Sequence, residues 1–138
     1  MFLSDKYCPK NFNQFILNKK HIKLIKSQYD KEYLDFNNLL IYGPPSSGKF
    51  TTALCILQDL YGDEIYNRKL EELSLKVGNN NTKNVFIKHS KYHFEVLVNK
   101  YVFNDRNSLS AFLNTIDSTK NVQTNSFNIV IIRPILFK

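Results

Sequence analysis

Cysteine is scarce in this 138-residue chain: only Cys8 and Cys55 are present. Two thiols cannot build a disulfide framework, and neither has a second Cys or a His at metal-ligand spacing. Both are expected to be reduced, with Cys55 buried on a helix. The three histidines offer no metal site either, since His89 and His93, four apart on one face of a strand, would stand roughly 13 Å from each other. There is no tryptophan, and no apolar run approaches the roughly 18 residues of a membrane-spanning helix. Met1-Phe2-Leu3 gives way at once to Ser4-Asp5-Lys6, where a secretory signal would turn apolar. The chain is therefore expected to remain inside the cell, with no membrane partner. No internal repeat is visible. Arginine is also rare, limited to Arg68, Arg106 and Arg133.

What the chain does contain is enough apolar material for a core. Hydrophobic residues make up 43% and aromatics 14%, and a chain of this length buries roughly two thirds of its unfolded surface. The length suits one domain or part of one, since domains run from about 50 to 250 residues. Lys and Arg number 19 against 12 Asp and Glu, for a net charge of +7. That excess favours polyanionic partners such as nucleic acid or nucleotides.

Residues 2–16 lack periodicity and contain Pro9, which suits an extended arm. Ile22, Ile25 and Tyr29 then recur at helical spacing after Asn18, a candidate N-cap, with Lys19, Lys23 and Lys26 on the other side. Leu39-Leu40-Ile41-Tyr42 reads as a strand buried on both faces. A helix from Gly48 carries Ala53, Leu54, Leu57 and Tyr61 on one stripe and should stop at Gly62. Leu70, Leu73, Leu75 and Val77, then Gly78 and Asn79-Asn80-Asn81, then Val85 and Ile87 predict a hairpin, followed by a strand with Tyr92, Phe94 and Val96. Asn104 or Asp105 caps a helix with Leu109, Phe112, Leu113 and Ile116 on one face, ending near Ser118. Residues 127–132 form a last strand around Ile129-Val130-Ile131-Ile132. Alternating strands and helices predict an α/β fold.

Gly43-Pro44-Pro45-Ser46-Ser47-Gly48-Lys49 matches the G-x-x-x-x-G-K core of a phosphate-binding loop, and it lies between the predicted strand and its helix. The residue types suit the chemistry. Glycines let backbone N–H groups approach a phosphate, Pro44 and Pro45 stiffen the turn, the helix N-terminus supplies partial positive charge, and Lys49 adds a full one. The alternative is a plain Gly-Pro turn before a helix. One position departs from the pattern: Phe50 stands where a Ser or Thr would bind Mg²⁺, with Thr51 and Thr52 behind it. Thr51 lies about 100° further round the helix and does not automatically replace that ligand. Nucleotide binding should withstand the change better than hydrolysis.

With these motifs in place, the chain resembles the small subunits of replication factor C, the AAA+ sliding-clamp loader, and in particular its subunit-three type. The stretch from Asp5 through Lys6-Tyr7-Cys8-Pro9 to Phe12 is similar to the family's N-terminal box, with Cys8 in place of an arginine. Leu40 to Lys49, Leu54 to Gly62, Tyr92-His93-Phe94-Glu95-Val96, Asp105-Arg106, Phe112 to Ile116 and Gln123 to Ser126 follow in family order. The resemblance covers about residues 3 to 132. It implies a P-loop NTPase three-layer sandwich with a largely parallel sheet and a β-hairpin insertion. It further implies an N-terminal arm over residues 1–17 that places Tyr7 and Pro9 beside adenine, a partial ATPase domain over 18–138, and a nuclear location. ATP would be the ligand, and the partners would be other clamp-loader subunits, the sliding clamp and primer-template DNA, with Arg106 a candidate DNA contact.

The resemblance stops at the last strand. AAA+ enzymes follow it with an aspartate that orders Mg²⁺ and a glutamate that polarises water, whereas Arg133 and Pro134 stand here. A positive charge about 4 Å from a divalent cation costs roughly 8 kcal/mol at an effective dielectric near 20, before screening. The expectation is a domain truncated after its third core strand, marginally stable alone, that binds ATP without hydrolysing it unaided. The competing readings are a non-catalytic P-loop interaction module and a small P-loop kinase, for which three scattered arginines are too few.

Overall fold

The computed structural model of the chain describes residues 2–16, 19–30, 35–36, 38–77, 81–98, 106–118 and 129–134. The chain forms two compact units, Met1–Ile65 and Tyr66–Lys138.

In the first unit, helix α1 (Leu3–Lys6) and a 3-10 turn at Phe12–Gln14 occupy the segment expected to be extended. The turn forms because the Asn11 side chain accepts from Gln14 N while the Gln14 side chain accepts from Lys10 N at 2.7 Å. Helix α2 spans Lys19–Lys26; its candidate cap Asn18 lies outside the described residues. Tyr29, expected on this helix, belongs instead to β1 (Tyr29–Asp30), which pairs antiparallel with β2 (Asp35–Phe36). The helix closes earlier because Ser27 and Gln28 tighten its end, with Ser27 Oγ donating to Leu24 O at 2.7 Å.

Helix α3 (Lys49–Tyr61) ends where predicted, at Gly62, whose φ of 79° and ψ of −168° suit only glycine and whose N–H closes on Gln58 O at 2.8 Å. It buries Leu54, Cys55, Ile56 and Leu57 in succession, a wider arc than one stripe. Cys55 and Ile56 form a cluster with Phe12, against which Phe15, Ile22, Ile25, Tyr29, Ile41 and Leu60 pack. Cys55 is buried, as expected, and Cys8 is exposed. A 3-10 turn at Asp63–Tyr66 that the sequence did not signal follows, with Ile65 fully buried.

The second unit is built on a four-stranded sheet in the order β3 (Lys69–Val77), β4 (Asn81–His89), β5 (His93–Val98), β6 (Ile129–Pro134). The β3–β4 hairpin and β4–β5 are antiparallel, and β5–β6 is parallel. Helix α4 (Arg106–Ser118) connects the parallel pair in sequence, the strand–helix–strand unit of an α/β fold. Phe112 and Ile116 of α4 pack on Leu75, Val85, Ile87 and Val96, all nearly inaccessible to water, with Leu73, Val77, Phe94, Leu109 and Val130 around them. Leu113, assigned to this face, is 41% exposed. Leu70 is also exposed because it lies an odd number of residues from Leu73, and a strand sends such neighbours to opposite faces. The caps proposed at Asn104 and Asp105, the tip residues 78–80, and the stretch 123–128 lie outside the described residues.

One expectation fails outright. Residues 39–42 belong to neither described sheet, and Leu40 and Tyr42 are 83% and 87% exposed. An apolar run of strand composition forms a strand only where another strand satisfies its N–H and C=O groups, and none of the described strands pairs with residues 39–42.

Candidate nucleotide-binding site

Residues 43–48 form an exposed loop that runs directly into α3. Its backbone has the left-handed residues a tight phosphate loop needs. Gly48, the N-cap of α3, has φ 79°, and Ser46 has φ 59°. Glycine adopts this region freely, whereas a serine there stores roughly 1–3 kcal/mol of strain, a cost that clusters at binding sites. Gly48 offers no side chain to cap the helix, so the first-turn N–H groups, which lack intrahelical acceptors, remain the anion-binding end of α3.

Lys49 folds back over this loop. Its Nζ donates to Pro44 O at 2.6 Å and Gly43 O at 3.1 Å, and lies 3.5 Å from Ser47 Oγ. The ammonium is therefore held above the loop by the loop's own carbonyls. Thr52 Oγ1 donates to Gly48 O at 2.9 Å, the back-bond of a helical threonine. Thr51 Oγ1 lies 3.9 Å from Cys8 Sγ. Both threonine hydroxyls that follow Phe50 are thus engaged by neighbours, and the residue types in this turn do not reproduce the usual Mg²⁺ hydroxyl.

The arm residues come to the same helix. Cys55 Sγ donates to Pro9 O at 3.6 Å, and Phe12 packs on Cys55 and Ile56. Together with the Cys8–Thr51 contact, this docks residues 8–12 along the first two turns of α3. Tyr7 projects outward, 71% exposed, with Lys6 Nζ 5.4 Å from its ring centroid. The sequence did not point to either thiol as the docking element. Alternation and spacing report on helices and strands, not on which loop a buried Cys will meet. Gly43, Pro44, Pro45, Ser46, Ser47, Gly48, Lys49, Phe50, Thr51 and Thr52 are contiguous, and Pro9 lies against that helix while Tyr7 is exposed. Arg106 is the exposed first residue of α4 in the other unit.

The model of the Rad17 P-loop domain matches residues 2–134. The chain belongs to the Rad17 P-loop domain family. The chain is similar to replication factor C subunit 5 of Saccharomyces cerevisiae, 30% identical over 102 residues, which cover 74% of this chain and 28% of that protein. It is likewise similar to human replication factor C subunit 3, 28% identical over 122 residues, 88% of this chain and 34% of that protein. The replication factor C small subunit of Methanococcus vannielii is 37% identical over 59 residues, 43% of this chain and 18% of that protein. The resemblance read from the motifs thus holds, and the chain spans about a third or less of the length of these curated relatives.

A second polar constellation looks catalytic at first sight. Ser90 Oγ lies 2.7 Å from His93 Nδ1, His93 Nε2 lies 3.3 Å from Glu95 Oε1, and Arg68 Nη1 lies 2.9 Å from the same oxygen. Ser90, His93 and Glu95 are only 7%, 0% and 3% exposed, so no substrate reaches the serine. Ser90 Oγ also accepts from the backbone N–H of Tyr92 and of His93. With both lone pairs used, its proton goes to His93 Nδ1, which leaves the ring hydrogen on Nε2 facing Glu95. The chain is a structural brace at the start of β5. Burial raises the Glu95 pKa, but hydrogen bonds from His93 and Arg68 and the Arg68 charge outweigh it and hold the carboxyl below its ordinary value. In the first unit, burial and then the hydrogen bond and charge of Asp59, 2.7 Å away, push the Tyr29 hydroxyl well above its usual range.

Among the described residues, no group of His, Cys, Asp and Glu is placed to hold a metal ion, and no helix is long and apolar enough to cross a membrane. Arg133 and Pro134 lie within β6, in register with Leu97 and Val98 of β5.

Proposed function

We propose that the chain is the nucleotide-binding part of a clamp-loader small subunit. It binds ATP through Gly43, Pro44, Pro45, Ser46, Ser47, Gly48 and Lys49, with Phe50, Thr51 and Thr52 in the first turn behind them. The observation that carries this reading is the exposed loop with left-handed Ser46 and Gly48 ending on α3, with the Lys49 ammonium suspended over it. Backbone N–H groups and Lys49 meet the phosphates; Tyr7 and Pro9, on an arm of residues 1–17 docked on α3, take the base side. Residues 18–138 then form the partial ATPase domain.

Hydrolysis needs acids that order Mg²⁺ and water; Arg133 and Pro134 supply neither, and Phe50 removes the hydroxyl ligand. Binding without unaided turnover follows. The partners by this reading are other clamp-loader subunits, a sliding clamp and primer-template DNA in the nucleus, with Arg106 on a phosphate.

A labelled-ATP assay tests this reading. ATP should bind the parent chain, Lys49→Ala should abolish binding, and the parent should show no turnover; robust hydrolysis by the chain alone would refute it. The competing non-catalytic module is favoured by one observation, the lysine already satisfied by its own loop. A thermal shift separates the two: ATP at 100 times its dissociation constant adds about 2.7 kcal/mol to a chain that binds it and nothing to one that does not.

A further inference from the structure

Helix α2 has the sequence Lys-Lys-His-Ile-Lys-Leu-Ile-Lys, with no acidic residue in its first turn. Ile22 and Ile25 are partly buried and pack on the cluster formed by Phe12, Cys55 and Ile56. Lys26 Nζ sits 5.2 Å over the Phe12 ring. With that side anchored, Lys19, Lys20, His21 and Lys23 are all exposed. At about 100° and 1.5 Å per residue, Lys19, Lys23 and Lys26 fall within a 60° arc and span roughly 10 Å of helix, with Lys20 flanking them.

This ridge is unfavourable for the isolated helix. Lys23 and Lys26 suit the negative end of α2, but Lys19 and Lys20 sit at its positive end. Lys19 and Lys23 are i,i+4, while Lys20–Lys23 and Lys23–Lys26 are i,i+3, so like charges repel along the whole ridge. Ion pairs among the described residues, Arg68–Glu95, His89–Glu71 and His93–Glu95, involve none of these lysines. A row of ammonium groups that destabilises its own helix is stabilised by a polyanion. Protein interfaces are depleted in Lys and enriched in Arg and aromatics, which argues against an acidic protein as the occupant. Along one strand of duplex nucleic acid phosphate charges recur about every 3.4 Å, so the ridge faces roughly three of them.

We infer that the lysine ridge of α2 is a contact surface for the phosphate backbone of nucleic acid, distinct from Arg106 and independent of base sequence. The inference rests on the reading that this chain works on DNA, and it does not depend on the nucleotide loop. The test is fluorescence anisotropy of the full chain with a short labelled duplex between about 50 and 200 mM salt. Lys19→Gln/Lys20→Gln/Lys23→Gln should weaken binding about tenfold or more at the lower salt and reduce the log–log salt slope by about three, one per lysine. Gln is helix-compatible, and ATP binding by the triple variant should match the parent.

The control is Lys69→Gln/Lys76→Gln/Lys88→Gln, which removes the same charge from exposed positions on the hairpin. If the hairpin triple weakens binding as much as the α2 triple, the effect is net charge and the inference falls. It falls also if the α2 triple binds like the parent, if the parent binds no duplex, or if it prefers poly-glutamate to duplex. Loss of ATP binding in Lys49→Ala, alongside an α2 triple that binds duplex normally, would leave the proposed function standing and sink this inference alone.

Discussion

Glu95 shows how one side chain settles the character of a strand. It alternates with Phe94 and Val96, so the sheet sends it to the face opposite the α4 core, yet it is 3% exposed. A carboxylate there persists only because Arg68 and His93 both reach it. Glu95→Gln should lower unfolding stability by about 3 kcal/mol near neutral pH, the usual cost of removing one partner of a buried pair. The sign of the pH dependence follows from the depressed pKa of the folded state. The Glu95 contribution is fully present above the ordinary carboxylate value of 4.5 and is lost as pH falls through the lower value of the folded protein. Urea unfolding of parent and variant from pH 7 down to about 3 should therefore show the gap closing on the acid side; a constant gap would contradict it.

Phe50 gives a second prediction at the same scale. Phe50→Thr places a hydroxyl directly after the loop lysine, and ATP binding by the variant should tighten with Mg²⁺ over EDTA while the parent shows no such difference. These residues differ in how far the sequence revealed them. The loop was legible because its glycines, double serine and lysine fall at fixed spacing. The Ser90–His93–Glu95–Arg68 brace was not, because its partners lie up to 27 residues apart and neither period of 2 nor of 3.6 records a polar pair on a covered face.

Helices and strands were read well where one face is apolar and the other polar. Helix α4, both strands of the hairpin and the end of α3 at Gly62 emerge from pattern alone. Gly62→Ala should cost about 1–3 kcal/mol through backbone conformation, since an added Cβ would meet no atom within 4 Å; circular dichroism melts measure this. Phe112→Ala should cost about 3–5 kcal/mol by leaving a cavity between α4 and the sheet, which denaturant titration will show. Pattern reading failed where local hydrogen bonds override composition. Side chains of Asn11 and Gln14 wind the arm into a turn, and Ser27 ends α2 before Tyr29. It failed again at residues 39–42, where strand composition is present but none of the described strands pairs with it.

Over the whole chain, several large apolar side chains meet water: Leu40 at 83%, Tyr42 at 87%, Phe86 at 68% and Ile132 at 50%. Exposed apolar surface of this kind marks contact with other molecules or a tendency to aggregate. A net charge of +7 opposes self-association at low salt, so light scattering should rise with salt as that repulsion is screened. Leu40→Ser/Tyr42→Ser should suppress much of the rise without altering the far-UV spectrum, because neither residue belongs to a described helix or strand.

The embrace of Lys49 by Gly43 O and Pro44 O ties the ammonium to the backbone of its own loop. By the proposed reading a nucleotide must win that ammonium away from two carbonyl oxygens, so its affinity is the difference between two grips on the same charge. Whatever loosens the first grip, such as a shift of the Pro44 peptide, should sharpen the second without touching a single atom of the ligand.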